Sequence, residues 1–117
     1  MIQALNFDTY SIMEFKIEEL DFMTTPKASE GINNLLNELN FPDIILDLHN
    51  LNYIDSMGLS VLINISRKLK ENNREMIAVC NSSKILQLFY IAQLDTFFKI
   101  FSTIDDAREY FSSKKKQ

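Results

Sequence analysis

The segment IILDLHNLNYIDSMGLSVLI, residues 44–63, is the most informative part of this 117-residue chain. Its first half overlaps the apolar run DIILDL at residues 43–48, which is typical of a strand buried on both faces. A polar loop follows at residues 50–55, and residues 57–71 carry apolar side chains at the period of a helix. A buried strand that leads through a short loop into a helix predicts a parallel sheet with helices packed on it.

The same alternation of strands and helices extends through the rest of the chain. Strands are predicted at residues 2–7, 11–20, 43–48, 75–80 and 97–101. Helices are predicted to begin at Thr25-Pro26 with Thr25 as N-cap, at residue 57, at Ser82 or Ser83, and at Thr103. The order β-β-α-β-α-β-α-β-α predicts an α/β fold with a single mixed, mostly parallel sheet of about 4–5 strands, packed by about four helices.

The composition fits one acidic domain without a membrane segment. A chain of this length that is 46% hydrophobic is the size of one domain, predicted at residues 1–112, with a disordered basic tail at residues 113–117. A net charge of -4 repels phosphate backbones, so no nucleic-acid partner is expected. The longest nearly uncharged run, residues 56–66, is too short to span a bilayer, and a lone cysteine fits a reducing compartment. We therefore expect a cytoplasmic protein without a membrane partner.

Residue counts exclude most kinds of catalytic site. The chain has two glycines, Gly31 and Gly58, which cannot form a P-loop or a GxGxxG phosphate site. It has one histidine, His49, and one cysteine, Cys80, without the spacing of a zinc site or of a Ser-His-Asp triad. We expect no catalytic residue, no metal site and no cofactor, and therefore a protein that is not an enzyme.

Asp55 and Ser56 stand where a helix begins, and either side chain suits an N-cap. In the simplest interpretation, one of them satisfies a free backbone N–H and has no further role. Gly58 needs another explanation, because glycine inside a helix costs roughly 1 kcal/mol relative to alanine. We therefore expect the sheet or a binding partner to approach the backbone closely at Gly58.

The same residues resemble the core motif of the STAS domain family, the anti-sigma factor antagonists. The motif is an apolar strand ending in Asp-Leu, here residues 47–48, then a short loop and Ile-Asp-Ser-x-Gly-Leu, here residues 54–59. Glu-Leu-Asp at residues 19–21, followed by Thr24, resembles an earlier family signature. The closing segment FYIAQLDTFFKIFSTIDDAREYF, residues 89–111, resembles the end of the family's domain, so the resemblance covers almost the whole chain.

The resemblance implies a phosphorylation switch at Ser56, the serine that follows the aspartate of the motif. The unphosphorylated protein is expected to bind an anti-sigma factor that has serine kinase activity, and this binding frees a sigma factor. Phosphorylation of Ser56 by that kinase ends the interaction, and a phosphatase restores it. The transfer chemistry belongs to the kinase, and this chain supplies the acceptor.

The resemblance and the helix pattern together give a set of predicted contacts to the partner or its kinase. These residues are Asp21, Thr24, Asp55, Met57, Gly58, Leu59, Ser60, Ile63 and Asn64. Asp21 and Asp55 are predicted to orient the acceptor hydroxyl or to contact the kinase. Met57 and Ile63 lie off the apolar stripe of the helix, so exposed apolar contacts are expected there. The chain departs from the family pattern at Glu18, where glycine is usual, and at Met57, where a small residue is usual.

Two other functions fit the same resemblance. The chain could be a subunit of a larger STAS assembly, such as a stress-signalling scaffold, which self-associates and does not dissociate on phosphorylation. It could also be an accessory module that binds a ligand or serves lipid transport. A receiver domain with a phospho-aspartate fits poorly, because the acidic pair after the first strand and the late lysine are missing. For the leading function we expect a monomer or a weak dimer.

Overall fold

Strands and helices alternate along the computed structural model, which describes residues 2–115. The strands are β1 (Ile2–Asn6), β2 (Tyr10–Phe15), β3 (Glu19–Leu20), β4 (Asp43–Asp47), β5 (Tyr53–Ile54), β6 (Met76–Val79) and β7 (Lys99–Phe101). The helices are α1 (Thr25–Glu38), α2 (Ser56–Glu71), α3 (Ser83–Ile91) and α4 (Ile104–Lys115). A short 3₁₀ turn at Leu94–Thr96 separates α3 from β7.

Five strands form the main sheet, in the order β1-β2-β4-β6-β7. β1 is antiparallel to β2, and every other neighbouring pair is parallel. Four helices within residues 2–115 pack on this sheet, so the predicted mixed, mostly parallel architecture is confirmed. Parallel pairing brings the carboxyl ends of β2, β4 and β6 to the same end of the sheet, where the connecting loops lead toward helices.

Alternate side chains of β4 point to opposite faces of the sheet, and both faces are buried. Ile44 and Leu46 belong to the larger hydrophobic core, to which α1, α2 and α3 contribute their apolar stripes. Ile45 belongs to a smaller core under α4, together with Ala107 and Phe111. Three helices therefore cover one face of the sheet and α4 covers the other, which explains the continuous apolar sequence of β4.

The segment predicted as one strand over residues 11–20 is two separate strands, β2 and β3. β3 leaves the main sheet and pairs in parallel with β5, so that Leu20 lies opposite Ile54. The predicted loop at residues 50–55 therefore contains a strand, and the prediction is wrong in this respect. A strand of two residues is too short to show an alternating pattern in the sequence. β3 and β5 form because the two backbones meet beyond the ends of β2 and β4, which the sequence does not show.

Serine and threonine caps set the starts of α3 and α4. Ser82 Oγ accepts a first-turn N–H of α3 at 3.4 Å, and Thr103 Oγ1 accepts one of α4 at 3.1 Å, as predicted. The predicted cap of α1 is wrong, because Thr24 occupies the N-cap position and Thr25 is the first residue of the helix. The Thr24 hydroxyl makes no capping bond, since it bonds to the loop before the helix.

The last turn of α4 is fixed to the start of β6. Residues 113–115 are helical, which differs from the disordered tail that the sequence predicts there. Lys114 Nζ lies 2.8 Å from Glu75 Oε1, and the Tyr110 hydroxyl donates to Glu75 Oε2 at 2.7 Å. The remainder of the predicted tail, residues 116–117, lies outside the described residues.

Thr25 carries a buried hydroxyl that has no hydrogen-bond partner among residues 2–115. Thr25→Val keeps the shape of the side chain and removes this oxygen. Because an unpaired buried polar group costs about 1–3 kcal/mol, we expect the variant to raise the free energy of unfolding by about 1–2 kcal/mol. Urea unfolding measures the change.

Thr24→Val is the matched control for this substitution. The Thr24 hydroxyl accepts the N–H of Asp21 at 2.9 Å and donates to the carbonyl of Glu19 at 2.9 Å. Loss of these bonds is expected to lower the free energy of unfolding by about 1–2 kcal/mol. Equal losses in both variants would show that the Thr25 hydroxyl also has a partner.

Candidate functional site

Ser56 is the first residue of α2, and it is exposed. Asp55 occupies the N-cap position, and its Oδ1 accepts the N–H of Gly58 at 2.9 Å. The N–H groups of Ser56 and Met57 precede the first intrahelical bond and find no acceptor within residues 2–115. The Ser56 hydroxyl therefore stands beside free amide donors at the positive end of a helix.

Asp55 also joins α2 to the loop between β3 and α1. Its second carboxylate oxygen, Oδ2, accepts the N–H of Phe22 at 3.0 Å, and its own N–H donates to the carbonyl of Leu20 at 3.2 Å. One carboxylate thus caps the helix and holds a loop 33 residues earlier in the sequence. A purely local capping role does not account for the second bond, so Asp55 also fixes the β3–α1 loop beside Ser56.

Gly58 lies against the backbone of β3. A Cβ atom at this position would collide with the carbonyl oxygen of Leu20 and would lie 2.6 Å from Ile54 Cγ1. The close neighbour expected at Gly58 is therefore the small β3–β5 sheet. Glycine allows the first turn of α2 to approach this sheet, and the approach keeps Ser56 next to the β3–α1 loop.

Asp21 and Thr24 form a hydrogen-bonded turn within the same loop. Asp21 Oδ1 accepts the N–H groups of Met23 and Thr24, at 3.0 and 3.2 Å. Thr24 Oγ1 in turn accepts the N–H of Asp21 at 2.9 Å. Both side chains therefore shape the loop, and neither is hydrogen-bonded to Ser56 in the described part of the chain. Their contact with a kinase stays a prediction.

Four apolar side chains on the segments that meet at the start of α2 are exposed, and we call them the apolar collar: Phe22, Met23, Tyr53 and Met57. Phe22 and Met23 are 64% and 71% exposed, although the loop that carries them is fixed by Asp21 and Asp55. Of the apolar collar, the sequence predicts only Met57. It does not indicate Phe22 and Met23, because only the bond from the Phe22 N–H to Asp55 brings their loop to the start of α2.

A groove of about 380 Å³ between α1 and α2 adjoins the apolar collar at Met57. The predicted contacts Ser60 and Asn64 line it and are exposed. Ser60 Oγ donates to the carbonyl oxygen of Ser56 at 3.0 Å, as a serine inside a helix often does. The exposed face at the start of α2 therefore extends along the helix by two further turns.

Leu59 and Ile63 belong to a different flank of α2. Both are half-buried and pack against the larger core. The expectation of an exposed Ile63 is wrong, because residues four apart share one side of a helix and this side meets the core. Less of Ile63 is available to a partner than the sequence predicts.

Comparison with known proteins identifies the family. The profile of the STAS domain matches residues 9–107, most of the chain. The chain belongs to the STAS domain family. The anti-sigma-B factor antagonist of Staphylococcus aureus is 32% identical to it over 76 residues, which are 65% of this chain and 69% of that protein.

Solved structures share the fold of this STAS domain. An anti-sigma factor antagonist from Mycobacterium paratuberculosis superposes with a TM-score of 0.83 at 22% identity, over 94% of this chain and 92% of that chain. The Bacillus cell fate determinant SpoIIAA in its phosphorylated form gives a TM-score of 0.69 at 17% identity, over 95% and 99% of the two chains. At these identities the likeness establishes the fold, and it confirms the STAS-like architecture that the sequence predicts.

The single histidine of this STAS domain has a structural partner. The buried carboxylate of Asp47 lies 3.1 Å from the backbone N of His49 and 2.8 Å from its Nδ1, a partner that the sequence does not reveal. No group of histidine, cysteine and acidic residues within residues 2–115 is arranged to hold a metal ion. In the same range, no helix combines the length and apolar character needed to cross a membrane.

A cleft of about 620 Å³, larger than the groove beside Met57, lies away from Ser56. Tyr10, Asp43 and Arg74 line it, near the starts of β2 and β4, whereas Ser56 lies beyond the ends of these strands. Cleft size therefore does not indicate the candidate site. The region around Ser56 is an exposed surface, which suits a protein partner better than a small molecule.

Asp55→Ala is expected to lower the free energy of unfolding by about 1–2 kcal/mol, because it removes the helix cap and the bond to the β3–α1 loop. Asp55→Asn keeps an oxygen that can accept the N–H of Gly58, so it should lower the free energy of unfolding less than Asp55→Ala does. Hydrogen exchange gives the sharper measurement, since the amide of Phe22 should exchange faster in Asp55→Ala while amides of β4 stay protected. Unchanged exchange at Phe22 would contradict the bridging role of Asp55.

Proposed function

We propose that this STAS domain is an anti-sigma factor antagonist whose binding is switched off by phosphorylation of Ser56. The observation that carries the proposal is the position of Ser56, exposed at the start of α2 and flanked by the apolar collar. The names of its relatives, which include the anti-sigma-B factor antagonist of Staphylococcus aureus, support the same function. The chain supplies the acceptor and the contact surface and is not itself an enzyme.

The start of α2 favours a phosphate on Ser56. A phosphoserine adds about -1.5 to -2 charge and three acceptor oxygens. The free N–H groups of Ser56 and Met57 and the positive end of the helix attract this charge, a gain of typically about 0.3–1 kcal/mol per charge. Asp55 and Asp21 are negative and offset part of the gain. The fold is therefore expected to accept the modification without unfolding.

The apolar collar explains why a phosphate would end binding. A partner that covers Phe22, Met23 and Met57 removes water from the surface around Ser56. A dianion in this position would have to lose its hydration, and the free N–H groups at the start of α2 offset only a small part of that cost, because burial of a charge is strongly unfavourable. The modification therefore acts by blocking the interface.

The partner in this proposal is an anti-sigma factor with serine kinase activity. Its binding to the unphosphorylated chain frees a sigma factor, and a phosphatase that acts on phosphoserine 56 resets the switch. Ser60 and Asn64 extend the contact along the α1–α2 groove. SpoIIAA of Bacillus has been solved in unphosphorylated and phosphorylated forms, which indicates that a STAS fold accommodates the modification.

Capture of partners from native cells tests the proposal. Wild-type chain, Ser56→Ala and Ser56→Asp serve as baits, and mass spectrometry identifies bound proteins and maps phosphate on the chain. The proposal predicts that wild type and Ser56→Ala retain a serine kinase that Ser56→Asp loses, and that phosphate is found on Ser56. If all three baits retain the same proteins and Ser56 is never modified, the proposed switch is contradicted. A scaffold or accessory function would then explain the chain better.

A further inference from the structure

The two edges of the main sheet differ in their protection against further strand pairing. β7, at one edge, has three residues and carries Lys99. β1, at the other edge, has five residues, Ile-Gln-Ala-Leu-Asn, with no charge and no proline. Edge strands are usually very short or carry lysine or proline, because an open row of N–H and C=O groups pairs readily with another strand. β1 has none of these protections.

The hairpin between β1 and β2 determines which backbone groups of β1 face outward. The N–H of Phe7 donates to the carbonyl of Tyr10 at 2.9 Å and so defines one hydrogen-bonded pair of the hairpin. In an antiparallel ladder, hydrogen-bonded and non-hydrogen-bonded pairs alternate. Odd-numbered residues of β1 therefore bond to β2, whereas the N–H and C=O groups of Ile2, Ala4 and Asn6 point to the open edge.

Apolar surface continues from the smaller core to this open edge. Leu5 lies opposite Ile12, which belongs to the core under α4, yet Leu5 is 54% exposed. Phe7 is also exposed, and its ring stacks on Tyr10 with 5.1 Å between centroids. An exposed leucine between a buried core and an unpaired backbone edge is the arrangement that an added strand would complete.

We propose that β1 pairs with β1 of a second copy of this chain, antiparallel and around a two-fold axis at Leu5. This axis places the two Leu5 side chains side by side. The outward N–H and C=O groups of Ala4 then lie opposite those of Asn6 from the second copy, where they can form hydrogen bonds. The two main sheets then join into one. A second copy fits the edge because β1 is uncharged, so no like charges meet across the axis, and each leucine covers the other.

The expected association is weak and leaves the site at Ser56 open. One five-residue edge with two leucines buries less than the roughly 1,200 Å² of a standard interface, so a dissociation constant on the order of 10–100 µM is expected. Leu5 lies on the face of the sheet that α4 covers, whereas α2 packs on the opposite face. Dimerisation is therefore independent of the proposed partner binding.

Sedimentation equilibrium of the chain at concentrations from about 5 to 500 µM, which bracket this range of dissociation constants, tests the proposal. The average mass of the wild type is expected to rise from 13.6 kDa toward twice that value. Leu5→Lys places two positive charges at the axis, and Ala4→Pro removes an outward N–H without breaking a bond to β2. Each variant should raise the dissociation constant about tenfold or more, because like charges or a missing donor oppose pairing.

Ile91→Lys is the matched control, since Ile91 is 78% exposed at the end of α3 and away from β1. It should leave the dissociation constant unchanged. A mass of 13.6 kDa at every concentration would overturn the proposal, and so would a dimer that Leu5→Lys and Ala4→Pro do not weaken or that Ile91→Lys weakens equally. Circular dichroism verifies that each variant is folded. If only one of Leu5→Lys and Ala4→Pro folds, that variant alone tests the proposal, because one changes a side chain at the axis and the other removes a backbone N–H.

Discussion

Ser56→Asp is expected to weaken the binding of the anti-sigma partner by a few hundred-fold or more. A desolvated charge inside the contact that costs about 3–4 kcal/mol corresponds to such a loss. Phosphoserine at this position carries more charge than aspartate and should weaken binding at least as much. Isothermal titration calorimetry with the purified partner measures the change. Ser56→Ala should bind like the wild type, because it adds neither charge nor bulk.

Ser83→Asp is the matched control for this prediction. Ser83 is the first residue of α3, as Ser56 is of α2, and it lies outside the apolar collar. The same charge at the same helix position should leave partner binding unchanged. The free energy of unfolding of both aspartate variants should lie within about 1 kcal/mol of the wild-type value, since one negative charge at a helix start is tolerated. Equal loss of binding in both would contradict a local effect at Ser56.

Gly58→Ala is expected to lower the free energy of unfolding by about 2 kcal/mol, although alanine is the better helix former by roughly 1 kcal/mol. The added Cβ would collide with the carbonyl oxygen of Leu20, a backbone atom that cannot move without shifting β3. The first turn of α2 must then separate from β3, which also disturbs the loop beside Ser56. Partner binding should fall together with stability.

Gly31→Ala is the control for the collision, because Gly31 also lies inside a helix but has space. Within residues 2–115, a Cβ at this position would meet only Ile2 Cδ1, at an ordinary contact distance of 3.4 Å. We expect Gly31→Ala to raise the free energy of unfolding by about 0.5–1 kcal/mol through helix propensity. Denaturant unfolding of both variants measures the contrast. A gain in stability for Gly58→Ala would contradict the close packing of α2 on β3.

The main sheet and its helices could be predicted because their signals are local and repeated. The run at residues 43–48 is apolar throughout, and the structure shows both faces of β4 covered. The stripe of α2 places Leu62 and Leu69 in the core at the helical period. The close approach at Gly58 was also foreseeable, since a helical glycine carries a cost that something must offset.

The features that escaped prediction depend on contacts between distant segments. β3 and β5 have two residues each and exist because Leu20 meets Ile54 across a gap of more than thirty positions in the sequence. Phe22 and Met23 became part of the site through the bond of Phe22 to Asp55. The sequence predicts Asp55 as a helix cap or as a contact to the acceptor hydroxyl or the kinase. It does not predict the bond to Phe22, because a hydrogen bond to a remote loop cannot be read from residue spacing.

The central claim is that a phosphate on Ser56 changes the contact surface and leaves the fold intact. Backbone amide shifts of the chain, measured by NMR before and after phosphorylation of Ser56, test it most directly. We predict shift changes confined to residues 21–24 and to the first turn of α2. Shift changes that spread through β4, β6 and the larger core would show that phosphorylation refolds the domain, and would contradict the claim.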